Sequence, residues 1–352
     1  MKIILICPRR IGDVFLSSSI ISAIRRKYEE AQIHILVFQG TEMGVISNTK
    51  VDRILSIPEK WTLKEHFKFL LKNFHKYDLA ISLLPGDRPT LYAGLFGRKR
   101  IGTVTDEKKY FWKRWLLNSW VTFNGDTKHT VAMYQKIVSS VVGNTIEGPE
   151  FFGNESSDSF KLDKWEYKDR FVVFHLTPKF RYKEWPLAQW HRLIELYLKR
   201  GIGGVVLMGI DDKFELPFKL AREIRILNLV NNATVDDLFE TISRSHCYVG
   251  TDTAVTHMAA SIGVPVIAIY GPSCPVVWGP WPKGYLGKDS PWKRVGSQRV
   301  GSVDLVQGET ECVPCRNEGC DSHINSKSDC LVSLDATRVL DLLVEKAKGT
   351  IP

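Results

Sequence analysis

The chain has 352 residues, 44% hydrophobic and 25% charged, with a formal net charge of +9. That length suits two domains of ordinary size, each able to bury its own core, and the balance is that of a soluble globular chain rather than a disordered one. Its apolar runs fall short of the roughly 20 residues that cross a bilayer, and residues 1–7 enter a strand pattern without a secretory apolar segment or cleavage site, so a cytoplasmic protein is expected.

Residues 2–8 read as a strand, 13–29 as a helix with Val14, Phe15, Ile20, Ile21 and Ile24 apolar, and 33–38 as the next strand. A helix near 62–75 follows, with Lys64, Lys68, Lys72 and Lys76 every four residues. Opposite them stand Leu63, Phe67, Leu70, Leu71 and Phe74, expected to be core while the lysines form a basic stripe. A strand at 79–84 and a helix near 129–142 complete an alternation that implies a doubly wound parallel sheet. Residues 144–169, rich in Gly, Ser, Asn, Asp and Glu, read as a linker, which puts an N-terminal domain at 1–160. The alternation restarts with strands at 171–176, 204–208, 225–229, 247–249 and 265–270, and helices at 187–199, 213–223, 235–243 and 253–262. A second domain over 161–334 and a closing helix within 335–352 follow from this. Neither first turn holds G-x-G-x-x-G, which counts against a dinucleotide oxidoreductase.

Charge is uneven: residues 1–160 carry 23 Lys and Arg against 16 Asp and Glu, the remainder 25 against 23. A basic first half suggests an anionic partner. No helix-turn-helix, zinc finger or aromatic RNA-binding strand accompanies it, so nucleic acid is not expected. An acidic saccharide or an anionic membrane surface fits, and a merely solvated basic surface is the alternative. Arg98–Arg100 and the stretch Lys108-Lys109-Tyr110-Phe111-Trp112-Lys113-Arg114-Trp115 mix cations with aromatics in a way that suits such a partner.

The most informative stretch is Val249–Pro272: a turn, a short helix, then the buried strand Val264–Ile269 ending at Gly271-Pro272. Thr251 or Asp252 can cap that helix, leaving the first-turn N–H groups of Thr253, Ala254 and Val255 for a phosphate. An ordinary αβ unit of a parallel sheet is the plain alternative. This stretch, with its continuation Ser273–Pro280, resembles the consensus of glycosyltransferase family 9, the ADP-heptose:lipopolysaccharide heptosyltransferases. Three further blocks match in order: Arg10-Ile11-Gly12-Asp13-Val14, Tyr77–Leu83, and Tyr182-Lys183-Glu184-Trp185-Pro186. Thr251, Ala254 and the missing proline after the first-helix start depart from the family pattern.

The resemblance implies a GT-B architecture, two Rossmann-like domains facing a central cleft, with the closing helix packing back on the N-terminal domain. It implies inverting transfer of a heptose from ADP-heptose to the lipopolysaccharide inner core, at the inner face of the inner membrane. Transfer of another nucleotide sugar to a glycan or protein, or a non-catalytic saccharide-binding module, are the alternatives. Asp13, where the first strand turns into helix, would be the general base, or else a helix cap. Lys183 would neutralise the donor diphosphate, with Thr177 offering a hydroxyl to it. Asp252 would accept from sugar hydroxyls, and Thr253, Ala254 and Val255 would present N–H groups. His257, one turn on, is a ligand or a core histidine, and Asp211 matches a ribose-holding acid. The basic Arg10, Lys64, Lys113 and Arg114 are the candidate acceptor contacts. No D-x-D pair is present, so no catalytic metal is expected.

Four cysteines cluster as Cys312-x2-Cys315-x4-Cys320-x9-Cys330. In a reducing compartment this spacing reads as a tetrathiolate zinc or iron site, or as four unligated thiols; the role is structural either way. Related autotransporter heptosyltransferases carry a four-cysteine iron site, which supports the idea without fixing the ion.

Overall fold

The computed structural model describes residues 1–349 except 106–110, 124, 126, 145–146 and 154–160. It divides into two compact units, Met1–Glu150 with Leu286–Ser290, and Phe151–Tyr285 with the chain from Pro291 onward. The first unit thus ends before the expected 160.

The first unit runs β1 (Lys2–Ile6), α1 (Ile11–Leu16), α2 (Ser18–Lys27), β2 (Gln32–Phe38), β3 (Arg53–Ile57), α3 (Leu63–Asn73) and β4 (Tyr77–Ser82). It continues with α4 (Asp87–Phe96), β5 (Gly97–Val104), α5 (Phe111–Leu116), β6 (Ser119–Thr122) and α6 (Thr130–Val142). Its sheet is parallel, in the order β3-β2-β1-β4-β5-β6. Ile3, Ile4, Leu5 and Ile6 are fully buried, as expected of a central strand covered on both faces. The order reverses between β1 and β4, the place where open α/β sheets bind ligands. Right-handed crossovers put α3, α4 and α5 on one sheet face, with α4 packed between the other two.

Three expectations change here. The helix foreseen over 13–29 breaks at Ser17, whose Oγ donates to the Val14 carbonyl at 2.6 Å, while Ser19 Oγ donates to the Leu16 carbonyl at 2.8 Å; such back-bonding bends helices. The helix α3 forms, with a Thr62–Glu65 capping box, but its apolar set is not core. Phe69 and Leu70 pack inward, Phe69 edge-on to Trp61, Tyr92 and Phe96, whereas Leu63, Phe67, Leu71 and Phe74 are exposed. The stretch 85–122 adds α4, β5, α5 and β6, which the sequence pattern did not reveal.

The second unit runs β7 (Phe171–His175), α7 (Leu187–Lys199), β8 (Gly204–Met208), α8 (Phe218–Ala221), β9 (Ile226–Asn228), α9 (Val235–Arg244) and β10 (Cys247–Thr251). Then come α10 (Ala254–Ile262), β11 (Val266–Tyr270), α11 (Pro275–Trp278), β12 (Gln298–Val300), β13 (Val303–Gln307), α12 (Asp329–Val332) and α13 (Ala336–Gly349). The sheet order is β12-β13-β11-β10-β7-β8-β9, parallel except for β12. The helix expected over 213–223 shrinks to α8 because Pro217 disfavours helical backbone in the residue before it. The closing helix α13 packs on α7, β10 and β11, and its Val339, Leu340 and Leu343 join the second unit's own core.

Candidate active site

In the first unit, β1 leads through Cys7 and Pro8 to Arg9 and Arg10, and Arg10 stands at the N-cap of α1 in extended conformation. Asp13 falls in the first turn, 6% exposed. Arg9 Nε lies 3.5 Å from its Oδ2, and Arg10 is exposed one residue on. Burial alone would lower Arg9; Asp13 foremost raises it above its ordinary value. Beneath Asp13, Cys7 Sγ sits 3.9 Å from Tyr134 Oη, both buried. Burial first, then the charge of Asp13, pushes the Cys7 thiol up, and burial does the same for Tyr134. Neither competes with Asp13 as a base at neutral pH. The turn Glu42–Gly44 seats α1: a Cβ on Gly44 would lie 2.8 Å from both the Ile11 carbonyl oxygen and the Phe15 nitrogen.

The acceptor candidates are not alike. Lys113 is buried, with Nζ 2.8 Å from Asp87 Oδ1 and donating to the Pro85 carbonyl. It fixes the start of α4 and presents no ammonium to solvent, which corrects its expected role. Arg114 is exposed over the Trp120 ring at 5.8 Å, and Lys64 is exposed on α3. Lys108, Lys109 and Tyr110 lie outside the described residues.

In the second unit, Lys183 ends a short helical turn, Arg181–Lys183, and α7 begins just after Pro186. Ser328 Oγ donates to the Tyr182 carbonyl at 2.6 Å and Trp185 Nε1 to the Leu334 carbonyl at 2.9 Å, so the loop is anchored on both sides of Lys183. Lys183 Nζ stands 2.6 Å from Asp252 Oδ2. Ser273 Oγ donates to the same oxygen, and Tyr270 Oη lies 3.2 Å from Oδ1. His257 Nε2 is 3.9 Å from Oδ1. Burial would raise Asp252, but Lys183 and then His257 hold it below its usual value. Burial lowers His257 to about 4 despite Asp252, so its ring is neutral at pH 7.

Asp252 is therefore the seat of Lys183 rather than the open sugar acceptor expected of it. The helix cap is Thr253, whose side chain accepts from the Thr256 N–H at 3.4 Å. The first-turn donors are the N–H groups of Ala254 and Val255, with Thr253 turned to capping. Thr177 Oγ1 accepts from the Ile210 N–H at 2.8 Å. Asp211 accepts from the Lys213 N–H at 2.9 Å, and its own N–H donates to Asn231 Oδ1 at 2.8 Å. Both thus shape the loop after β8. Ser273, Tyr270, Arg9 and Asn231 were not foreseen, although Tyr270 and Ser273 lay in a matched stretch.

The four cysteines lie on a loop joined to this site. The Arg316 N–H donates to the Pro272 carbonyl at 2.8 Å, and a Cβ on Gly271 would meet Cys330 Sγ at 3.1 Å. Burial, then Cys315, Cys312 and Cys320, pushes Cys330 up to about 12, so the thiols share one neighbourhood. Yet among the described residues no three His, Cys, Asp or Glu side chains are placed to hold a metal ion.

Two doubly wound parallel-sheet units, one with a buried acid at the first strand-to-helix turn and the other with a lysine seated at a helix start, have the GT-B fold. The model of glycosyltransferase family 9 (heptosyltransferase) matches residues 73–287, and the chain belongs to that family. It is 23% identical over 304 residues to lipopolysaccharide heptosyltransferase 3 of Escherichia coli, covering 77% of this chain and 83% of that one. Its fold is similar to E. coli ADP-heptose lps heptosyltransferase II, with TM-score 0.71, 18% identity and 99% of each chain covered. It is similar also to E. coli heptosyltransferase WaaC with ADP-2-deoxy-2-fluoro heptose, with TM-score 0.65, 15% identity and 98% and 99% covered.

Proposed function

We propose that the enzyme moves a heptose from ADP-heptose to the lipopolysaccharide inner core with inversion at the anomeric carbon. The observation that carries this is the buried Lys183–Asp252 pair at the start of α10. An ammonium held there, beside the Ala254 and Val255 N–H groups, suits the charge that grows on a departing diphosphate. Three N–H donors let Lys183 keep Asp252 while reaching a phosphate oxygen. Asp13 supplies the other half: its carboxylate takes the proton from the acceptor hydroxyl as that oxygen attacks the anomeric carbon and ADP leaves. ADP-heptose as donor is favoured by the solved relative bound to an ADP-heptose analogue. Arg10, Arg114 and Lys64 are exposed candidates for an anionic acceptor, and a lipopolysaccharide core acceptor would be met at the cytoplasmic face of the inner membrane.

The cysteine loop is proposed as a buttress, holding Gly271–Ser273 and through Ser273 the Asp252 carboxylate. Metal analysis of purified, reduced protein decides between ligated and unligated thiols. For the reaction itself, lipopolysaccharide from a strain lacking the protein should be lighter by one heptose in mass spectrometry. A different missing mass replaces the donor, and an unchanged core removes the reading.

A further inference from the structure

On the sheet face shared by α3, α4 and α5, Leu63, Phe67 and Leu71 occupy successive turns of α3 and are 90%, 63% and 62% exposed. At about 100° per residue these three fall within an arc of about 80°. Phe74, just past the helix, extends the stripe at 56% exposure. Each helical apolar residue is followed by a lysine, Lys64, Lys68 and Lys72, all exposed. The helix's one acid, Glu65, sits in its first turn, hydrogen-bonded to Thr62 in the capping box. On the same face, Phe111 and Trp115 of α5 are exposed and edge-on at 6.1 Å, and Arg114 lies over the half-exposed Trp120.

An apolar stripe this exposed calls for a cover. The chemistry of that cover follows from the flank: lysines along one side of α3 and a cation among aromatics on α5. An amphipathic helix with such a flank lies in the headgroup layer of a bilayer, and tryptophan is the residue of that depth. We infer that α3, with the Phe111–Trp120 edge, docks the first unit on a membrane surface bearing anionic lipids. Leu63, Phe67 and Leu71 enter the headgroup boundary, and the lysines meet lipid phosphates. The inference deepens the reading above, since a lipid-borne acceptor is met at that surface, and it draws on neither Asp13 nor Lys183.

The test is flotation of the full chain with vesicles at about 0.15 M ionic strength. Phosphatidylcholine vesicles are compared with vesicles containing phosphatidylglycerol in equal amount. The wild type should bind the mixed vesicles at least about tenfold more tightly than phosphatidylcholine alone. Phe67→Ser with Leu71→Ser should lose at least about tenfold on mixed vesicles without lowering the unfolding temperature, because both side chains are exposed. Lys68→Glu with Lys72→Glu should abolish the preference for phosphatidylglycerol. A wild type indifferent to vesicles, or double variants that bind as it does, overturns the inference. So does a dimer in sedimentation velocity that both double variants dissolve without any vesicle binding, which assigns the stripe to a second copy. The Phe67→Ser, Leu71→Ser variant should keep wild-type kcat/KM on a water-soluble acceptor fragment. If no form of the enzyme turns that fragment over while vesicle binding follows the expected pattern, the acceptor reading falls and the docking stands.

Discussion

Asp13 and Asp252 are each 6% exposed, and each stands where a parallel strand gives way to a helix. Their surroundings differ. Asp252 is enclosed by Lys183 at 2.6 Å, Ser273, Tyr270 and His257, partners drawn from three separate segments of one unit. Asp13 faces a half-exposed Arg9 at 3.5 Å, over a thiol and a phenol that stay protonated. A carboxylate whose lone pairs are committed to fixed donors serves as scaffold. One faced by a half-exposed cation at the rim is placed to take up a proton, as the proposed base would. Burial and position alone do not separate base from strut; the partners do.

The largest effect that can break this contrast is Asp13→Asn. It should lower kcat about 1,000-fold while leaving the donor dissociation constant, read by calorimetry, nearly unchanged. Retained turnover would make Asp13 a helix cap and nothing more. On the other side, Lys183→Ala should reduce kcat/KM for the donor about 100-fold or more. Asp252→Ala should cost about 3 kcal/mol of stability, since it strands a partly buried ammonium. A thermally unaltered Asp252→Ala would show that the enclosure is not structural. Gly44→Ala sharpens the first half: its Cβ would press on the backbone of α1, so about 2 kcal/mol of stability should go along with some kcat.

A pH slope from the histidines is a further effect on stability. Burial holds His257 and His175 at about 4, below the unfolded value of about 6.5. Between those values the unfolded chain takes up protons that the folded one refuses, so stability falls as pH drops from 6.5 toward 4. Each histidine contributes up to about 1.4 kcal/mol per pH unit. Denaturant melts at pH 7 and pH 5 should show the loss, and His257→Gln should reduce it. An equal slope in the variant would remove His257 from the account.

What the sequence made legible was local. The turn before α1, the Lys183–Pro186 string and the α10 start each lie within a few residues, where capping and turn chemistry are written directly. Periodicity found the apolar arc of α3, yet it cannot tell whether neighbouring elements are wide enough to cover that arc, and here they are not. Arg9 and Arg10 are adjacent in sequence and point to different work only once α1 is built. Lys113 sits in a cationic run that looks like surface until α4 lands over it. Apart from His257 on α10, the partners of Asp252 lie 18 to 69 residues away, a separation over which side-chain pattern carries no register.

The ties from Ser328 to Tyr182 and from Trp185 to Leu334 link segments 146 and 149 residues apart. A ribosome making about 5–20 residues per second therefore leaves the Lys183 loop waiting on the order of ten seconds for its anchors. A chain ended at residue 327 would keep every charged group of that loop and lose both of its anchors, so in the proposed reaction it should fail at the donor.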